Sequence, residues 1–453
     1  MKRLHFKKKA RSALAIGLLP VLLLSLGFAS LTVYAADEPV KKDWAFFNDG
    51  SFYYEDNIGS AFGEIGFVTS IAGVDINILP LRSEPITYER TVTVAVLDTG
   101  VKIDHPDFAQ AIWTNEDEIP DDGIDNDENG FVDDVHGWNF YNDNNVLYNA
   151  RSYSEDAHGT HCAGLMCANN PNEIVGVAGG VSSVRIMPIK VVGGNNGGGT
   201  IADFIKGIQY AEANGADICS MSLGVKKYNR ELYDAMANAN MLFVVPACNG
   251  ESKGVNLDES YRFPACFGLD NVVVVGNLQC DGTLHYSSNY SSSLVDIAAP
   301  GTQIYSTSTS KSGYEYMTGT SMAVPFVAAS LALVHSCLTD NTLMQTKNTV
   351  LTNAKQIETL EPYVKNGAVL DVFAAVTQTG GTHADSQQAD SHQTDSQDDP
   401  QDHTQDNLQE AAPQDSNNAG ETEPAKTGPF QFLLQWLNSI LARIRALFTS
   451  LIA

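Results

Sequence analysis

The sequence predicts an α/β domain in three layers, a mainly parallel central sheet flanked by helices. Three observations carry that expectation. Apolar, β-branched runs of strand length stand at 92–98, 184–192, 218–224, 242–246 and 271–276, with little polar alternation, as strands buried on both faces require. Helical patterns at 201–214 and 232–239 lie between successive runs, the order expected of a parallel sheet joined by crossovers. The span 37–377 is long enough to bury one large core of this kind.

Before that span the chain reads as an export signal. Lys2, Arg3, Lys7, Lys8, Lys9 and Arg11 precede an apolar run from Ala13 to Leu31, and Val33-Tyr34-Ala35 offers small residues for cleavage after Ala35. Residues 1–35 are therefore expected to be a signal peptide; the alternative is an uncut membrane anchor. An extracellular or cell-surface location follows. Residues 43–80 carry turn signals and aromatics without long periodic elements.

The first strand, Val92 to Asp98, ends in a carboxylate and then Thr99-Gly100, a strand end and turn. After it comes an acidic loop. In "DDGIDNDENGFVDD", Asp121 to Asp134, the oxygen donors Asp125, Asp127 and Asn129 alternate, Gly130 permits a sharp turn, Phe131 offers its carbonyl and Asp133 stands at the ninth position of a calcium-loop pattern. His136 occupies the twelfth position, where an EF-hand needs a bidentate Glu, so the loop is not a true EF-hand, though Asp134 or Asp122 can supply that oxygen. Carboxylates this dense repel one another unless a cation lies among them, and structural calcium is expected; the alternative is a solvated acidic loop.

His158-Gly159-Thr160-His161-Cys162-Ala163-Gly164 opens a helix of small residues, with His158 and His161 in one turn. The strand at 218–224 ends in Ser222-Leu223-Gly224, an edge able to pair with an extended peptide. The strand at 242–246 leads into Cys248-Asn249-Gly250, a turn by composition. Gly319-Thr320-Ser321-Met322-Ala323-Val324-Pro325 then places one serine where a strand or loop gives way to an almost wholly apolar helix reaching about His335. Pro325 fits only near the first turn of that helix. Ser321 thus stands at the positive end of a buried helix, suited to a carbonyl that gains negative charge.

"VAVLDTG", "HGTHCAG" and "GTSMAVP", in the order Asp, His, Ser, resemble the three signature blocks of the subtilisin-like serine proteases, the subtilase family. The resemblance implies a subtilisin-like catalytic domain at 89–377, with 36–88 as its amino-terminal arm. It implies a serine endopeptidase in which Ser321 is the nucleophile, His158 the general base, Asp98 its orienter and Asn249 an oxyanion donor, with His161 structural. Ser222, Leu223 and Gly224 resemble the family's substrate-binding edge, Tyr261 to Phe267 the segment beyond the primary specificity pocket, and Asp107 falls where several members hold structural calcium. Two departures stand out: the family usually has Gly where this chain has Cys248, whose bulk narrows the adjacent pocket, and more often Asn at Ser220. The residues between Ala35 and the arm leave no room for the folding propeptide usual in secreted members. The competing readings are a non-catalytic binding or scaffold protein on the same fold and a narrow-specificity processing protease.

All seven cysteines, 162, 167, 219, 248, 266, 280 and 337, lie in the α/β span without zinc spacing. Most are expected to be small buried residues, with one or two disulfides as the alternative. From 378 the composition changes. Residues 381–425 hold eleven Asp or Glu and no Lys or Arg, so 378–428 is expected to be a disordered acidic linker. The whole-chain charge of −27 is therefore no guide to the substrate, and no nucleic acid is expected as a partner. Residues 429–453 form an amphipathic helical pattern. Gln431, Gln435, Asn438, Ala442, Arg445 and Thr449 mark one stripe, and Phe432, Trp436, Leu437, Ile440, Leu441, Ile444 and Phe448 lie on the broad apolar face. A membrane surface, a partner protein or self-association can each take that face.

Overall fold

The structure, a computed structural model, describes residues 43–378 apart from 58–64, 85, 150–151, 153 and 195–197. The expected signal peptide, acidic linker and amphipathic 429–453 segment lie outside the described residues.

In chain order the strands begin with β1 (Tyr53–Asn57), β2 (Ile65–Thr69), β3 (Val92–Asp98), β4 (Trp138–Asn139), β5 (Asn169–Asn170), β6 (Ile174–Val175), β7 (Val184–Lys190) and β8 (Ile218–Ser220). They continue with β9 (Leu242–Pro246), β10 (Val272–Leu278), β11 (Ile297–Pro300), β12 (Ile304–Thr307), β13 (Tyr314–Met317), β14 (Lys355–Gln356) and β15 (Ala368–Val369). The helices are α1 (Leu79–Ser83), α2 (Ala157–Cys167), α3 (Ile201–Ala213), α4 (Arg230–Asn238), α5 (Thr320–Cys337), α6 (Leu343–Thr352) and α7 (Val372–Thr377).

The central sheet runs β14-β15-β11-β10-β9-β8-β3-β7-β4, parallel throughout except for the edge pair β14–β15. Every residue of β3, β9 and β10 is buried, which is why these runs lack polar alternation. Helices α2 and α5 pack on each other on one face, and α5 crosses β3, β8, β9, β10 and β11. On the other face α3 packs on β3 and β7 and against α4. The expected three-layer α/β architecture is the one observed.

Strand order reverses at β3, which pairs with β7 on one side and β8 on the other, in register Asp98↔Lys190 and Val96↔Ser220. The carboxyl end of β3 thus lies at a topological switch point, where flanking connections diverge and leave a crevice. Helix α5 is long and apolar enough to cross a membrane but is buried in this core. Its mean hydropathy reflects burial against the sheet.

The arm contains more regular structure than its composition suggests. β1 and β2 form an antiparallel hairpin, and Trp44 upstream is buried with Nε1 donating to Thr302 O at 2.9 Å. Phe46 packs on Phe326 of α5 at 5.4 Å between ring centroids. Aromatics spaced for tertiary contacts leave no period to read. No disulfide links the seven cysteines, all of them among the described residues and five of them buried.

Candidate active site

Asp98 is the last residue of β3 and His158 the second of α2. Their side chains meet: His158 Nδ1 lies 2.7 Å from Asp98 Oδ1. A carboxylate only accepts, so Nδ1 carries the proton and Nε2 is the basic face of the ring. The helix approaches the strand this closely because residue 159 is glycine; a Cβ there would collide with Gly100 O and lie 3.1 Å from Asp98. Gly159 N also donates to Thr99 Oγ1 at 3.0 Å, and Thr99 N to Asp98 Oδ1 at 2.6 Å. The Asp98 side chain is 1% exposed and that of His158 31%, so the pair presents only the imidazole to solvent. Burial pulls the imidazole down, and the adjacent Asp98 carboxylate outweighs it, leaving His158 above its ordinary value of 6.5.

His161, one turn on, faces the core. Its Nε2 lies 3.0 Å from Ile304 O, and burial pushes its pKa down to about 3, so it is neutral and structural. Cys162 lies between the pair and the serine helix. One atom each of Asp98, His158 and Cys162 fall within 4.8 Å of one another, and Cys162 Sγ is 3.6 Å from Ser321 O. Burial, then the Asp98 charge, push this thiol well above its ordinary range.

Ser321 is the second residue of α5, and its Oγ donates to Ser222 O at 3.3 Å. Pro325 sits in the second turn of α5, deeper than expected. Lacking an N–H, it leaves the Ser321 carbonyl without its usual helical partner, and Ser222 Oγ donates to that carbonyl at 2.9 Å. The proline therefore ties the serine helix to the 222–224 segment. Asn249 follows β9; its Oδ1 accepts from Thr320 N at 3.2 Å. A Cβ on Gly319 would be 3.3 Å from Asn249 Nδ2, so the amide N–H₂ lies beside the backbone leading into Ser321.

Strand β8 ends at Ser220, earlier than its composition suggests. Met221 N still donates to Val244 O, but Ser222, Leu223 and Gly224 then leave the ladder until Val225 pairs with Phe263. Among the described residues that segment has no strand beside it.

Sequence reasoning missed Lys190. It is 1% exposed at the end of β7, with Nζ 2.5 Å from Asp156 Oδ1, 3.1 Å from Glu155 Oε1 and bonded to Thr99 O. It joins the residue after Asp98 to the residue that begins the His158 helix. A lysine inside an apolar run, VRIMPIKVV, was the available signal.

The acidic loop is placed in two parts. Carboxylate oxygens of Glu118, Asp125 and Asp127 lie within 4.8 Å of one another, a donor set for a hard cation. Glu118, 6% exposed, was absent from the expected set because it precedes the motif. Asp133 accepts from Asp122 N and Gly123 N, and Asn129 Nδ2 donates to Asp127 and Asp134. Asp134, fully buried, accepts from Tyr210 at 2.6 Å and Asn115 at 3.0 Å; burial raises its pKa against these bonds. The Phe131 ring packs on Trp138, Phe140 and Tyr210 and pins the loop to the core. Asp107 lies apart, accepting from Asn170 and Tyr314.

A family model described as the subtilase family matches residues 89–409. The major intracellular serine protease of Bacillus subtilis (strain 168) is 34% identical over 60% of this chain and 80% of its own length. Subtilisin-like protease 1 of Plasmodium berghei is 28% identical over 67% of this chain and 53% of its own, so this chain spans about half of that relative. A solved cold-adapted subtilisin-like serine proteinase aligns with 66% of this chain and 96% of its own at 24% identity and a TM-score of 0.49.

Proposed function

The chain belongs to the subtilase family, and from that premise we propose that it is a serine endopeptidase working through an acyl-enzyme on Ser321. The observation that carries this reading is the Asp98–His158 pair at 2.7 Å, joined through Cys162 to the start of the Ser321 helix. His158 Nε2 takes the Ser321 proton as Oγ attacks a peptide carbonyl, then returns it to the leaving amine. Asp98 fixes the Nδ1–H tautomer and stabilises the imidazolium. Asn249 Nδ2 and the Ser321 N–H face the oxygen that gains charge. The substrate lies extended along Ser222, Leu223 and Gly224, adding a strand where the ladder stops.

Calcium is proposed as a structural cofactor held by Glu118, Asp125 and Asp127, with no part in the chemistry. Asn129, Phe131, Asp133 and Asp134, also expected as ligands, serve in this reading as the hydrogen-bonded and packed frame, while Asp107, apart from this loop and bonded to Asn170 and Tyr314, takes no part in the site. Export to the cell surface or beyond rests on the basic and apolar order of residues 1–35. Attachment to a membrane surface or partner rests on the amphipathic pattern of 430–453.

A peptide library digested with the purified protein and with His158→Ala, read by mass spectrometry, tests the activity. Cut sites present only with the wild type support it. Equal cutting by both proteins, or none by either, refutes it.

A further inference from the structure

The residue before Asn249 has a backbone that its side chain disfavours. Cys248 has φ +65°, a left-handed conformation that glycine adopts freely and a side chain resists. The surroundings hold it there. Asn289, fully buried, donates its backbone N–H to Cys248 O at 3.0 Å and its Nδ2 to Ala247 O at 2.9 Å. Strain kept in place beside a reactive group directs attention to what the side chain does there.

That side chain enters the gap beside the substrate segment. A Cβ on Gly224 would collide with Cys248 Sγ and lie 3.3 Å from Phe263 O. The far end of the gap is closed by Val225 N to Phe263 O at 2.7 Å and Phe263 N to Val225 O at 2.9 Å. A peptide added along 222–224, with its carbonyl at Ser321 Oγ, 3.3 Å from Ser222 O, has alternate side chains to seat, and beside Gly224 it is Cys248 Sγ that stands in the space.

We propose that Cys248 fills the pocket for the side chain on the acyl side of the scissile bond, so that the enzyme cuts after glycine, alanine or serine and rejects large residues. This rests on the protease reading above and names its substrate class. The thiol acts by its volume. An unaccommodated methylene is worth roughly 10–200-fold in such a pocket, and leucine or phenylalanine exceeds alanine by several.

The test compares kcat/KM for peptides that differ only at the acyl-side residue, Ala against Leu and Phe, using wild type, C248S and C248G. A fluorophosphonate probe first titrates the active serine of each protein. Wild type and C248S should both favour Ala by at least tenfold. Glycine suits φ +65°, so C248G removes bulk and strain together, and it should shift the Ala-to-Leu ratio at least tenfold toward Leu through faster cleavage of the Leu peptide. Wild type that cuts after Leu or Phe as well as after Ala overturns the proposal, as does a C248G ratio equal to that of wild type. Should C248G fail to fold, C248A serves with a smaller shift in the same direction. A wild type that takes up no probe and cuts no peptide overturns the protease reading, and the pocket assignment with it; probe uptake with the wrong preference overturns the pocket alone.

Discussion

Replacing Lys190 with Met should destabilise the domain strongly and in a pH-dependent way. Its Nζ bridges Asp156, 0% exposed, and Glu155, 9% exposed, while being 1% exposed itself. Removing one partner of a buried pair leaves the other charge uncompensated, at a cost of about 3–5 kcal/mol. At about 2–4 °C per kcal/mol for a large domain, the melting temperature should fall by roughly 10 °C at neutral pH. Burial already raises the Asp156 pKa, opposed by the Asn149 N–H and by Lys190. Without the lysine it rises further. A carboxyl whose folded pKa lies above its unfolded value is stabilising only while protonated, so the K190M deficit should be largest near pH 7 and shrink as pH falls toward about 4. The double variant K190M/D156N should recover much of the loss at neutral pH, since no buried charge is then stranded at 156. Thermal melts of wild type and both variants at several pH values measure this. A deficit under about 3 °C at pH 7, or one that grows on acidification, would refute the reasoning.

Asn249→Ala should lower kcat by about 10²–10³, on the order of 3 kcal/mol, with KM and melting temperature little changed; a loss under tenfold, or one carried by KM, contradicts the oxyanion role. The pH profile of kcat/KM should rise through an apparent pKa above 6.5, because His158 is held above that value and only the neutral ring accepts a proton. D98N should move the midpoint down and cost roughly 10⁴ in kcat, and a profile unchanged in D98N speaks against the pairing. Chelation should lower the melting temperature before activity, by up to about 3 kcal/mol of stability if calcium is at a hundredfold its Kd. E118Q/D125N should abolish that response, and activity lost with the fold intact would remove calcium from a purely structural role.

The parallel sheet was legible because burial on both faces writes itself as unbroken apolar runs, and β3, β9 and β10 fall within a residue or two of their expected ends. The placement of Asp98 at a strand end and of His158 and Ser321 at helix starts was legible for a related reason: close approach of helices and strand ends demands the small residues that surround each of them. What escaped reading depends on contacts far apart in the chain. Lys190 meets Asp156 across 34 residues, and the apolar run around the lysine signals its burial without naming its partner. Ser222 and Ser321 are joined because Pro325 frees a carbonyl, a consequence visible only once the helix start is fixed. In the acidic loop the motif supplied Asp125 and Asp127, but spacing did not show that Asp133 bonds its own loop backbone or that Glu118 turns in from upstream. The β1–β2 and β12–β13 hairpins use aromatic and polar residues whose pairing is tertiary, so periodicity gave no sign of them.

Intact mass after treatment with a fluorophosphonate probe, wild type beside S321A, tests the central claim most directly. An assembled Asp98–His158–Ser321 centre predicts one covalent adduct on the wild type and none on S321A. A folded wild type that takes up no probe, or an S321A that still does, would contradict it.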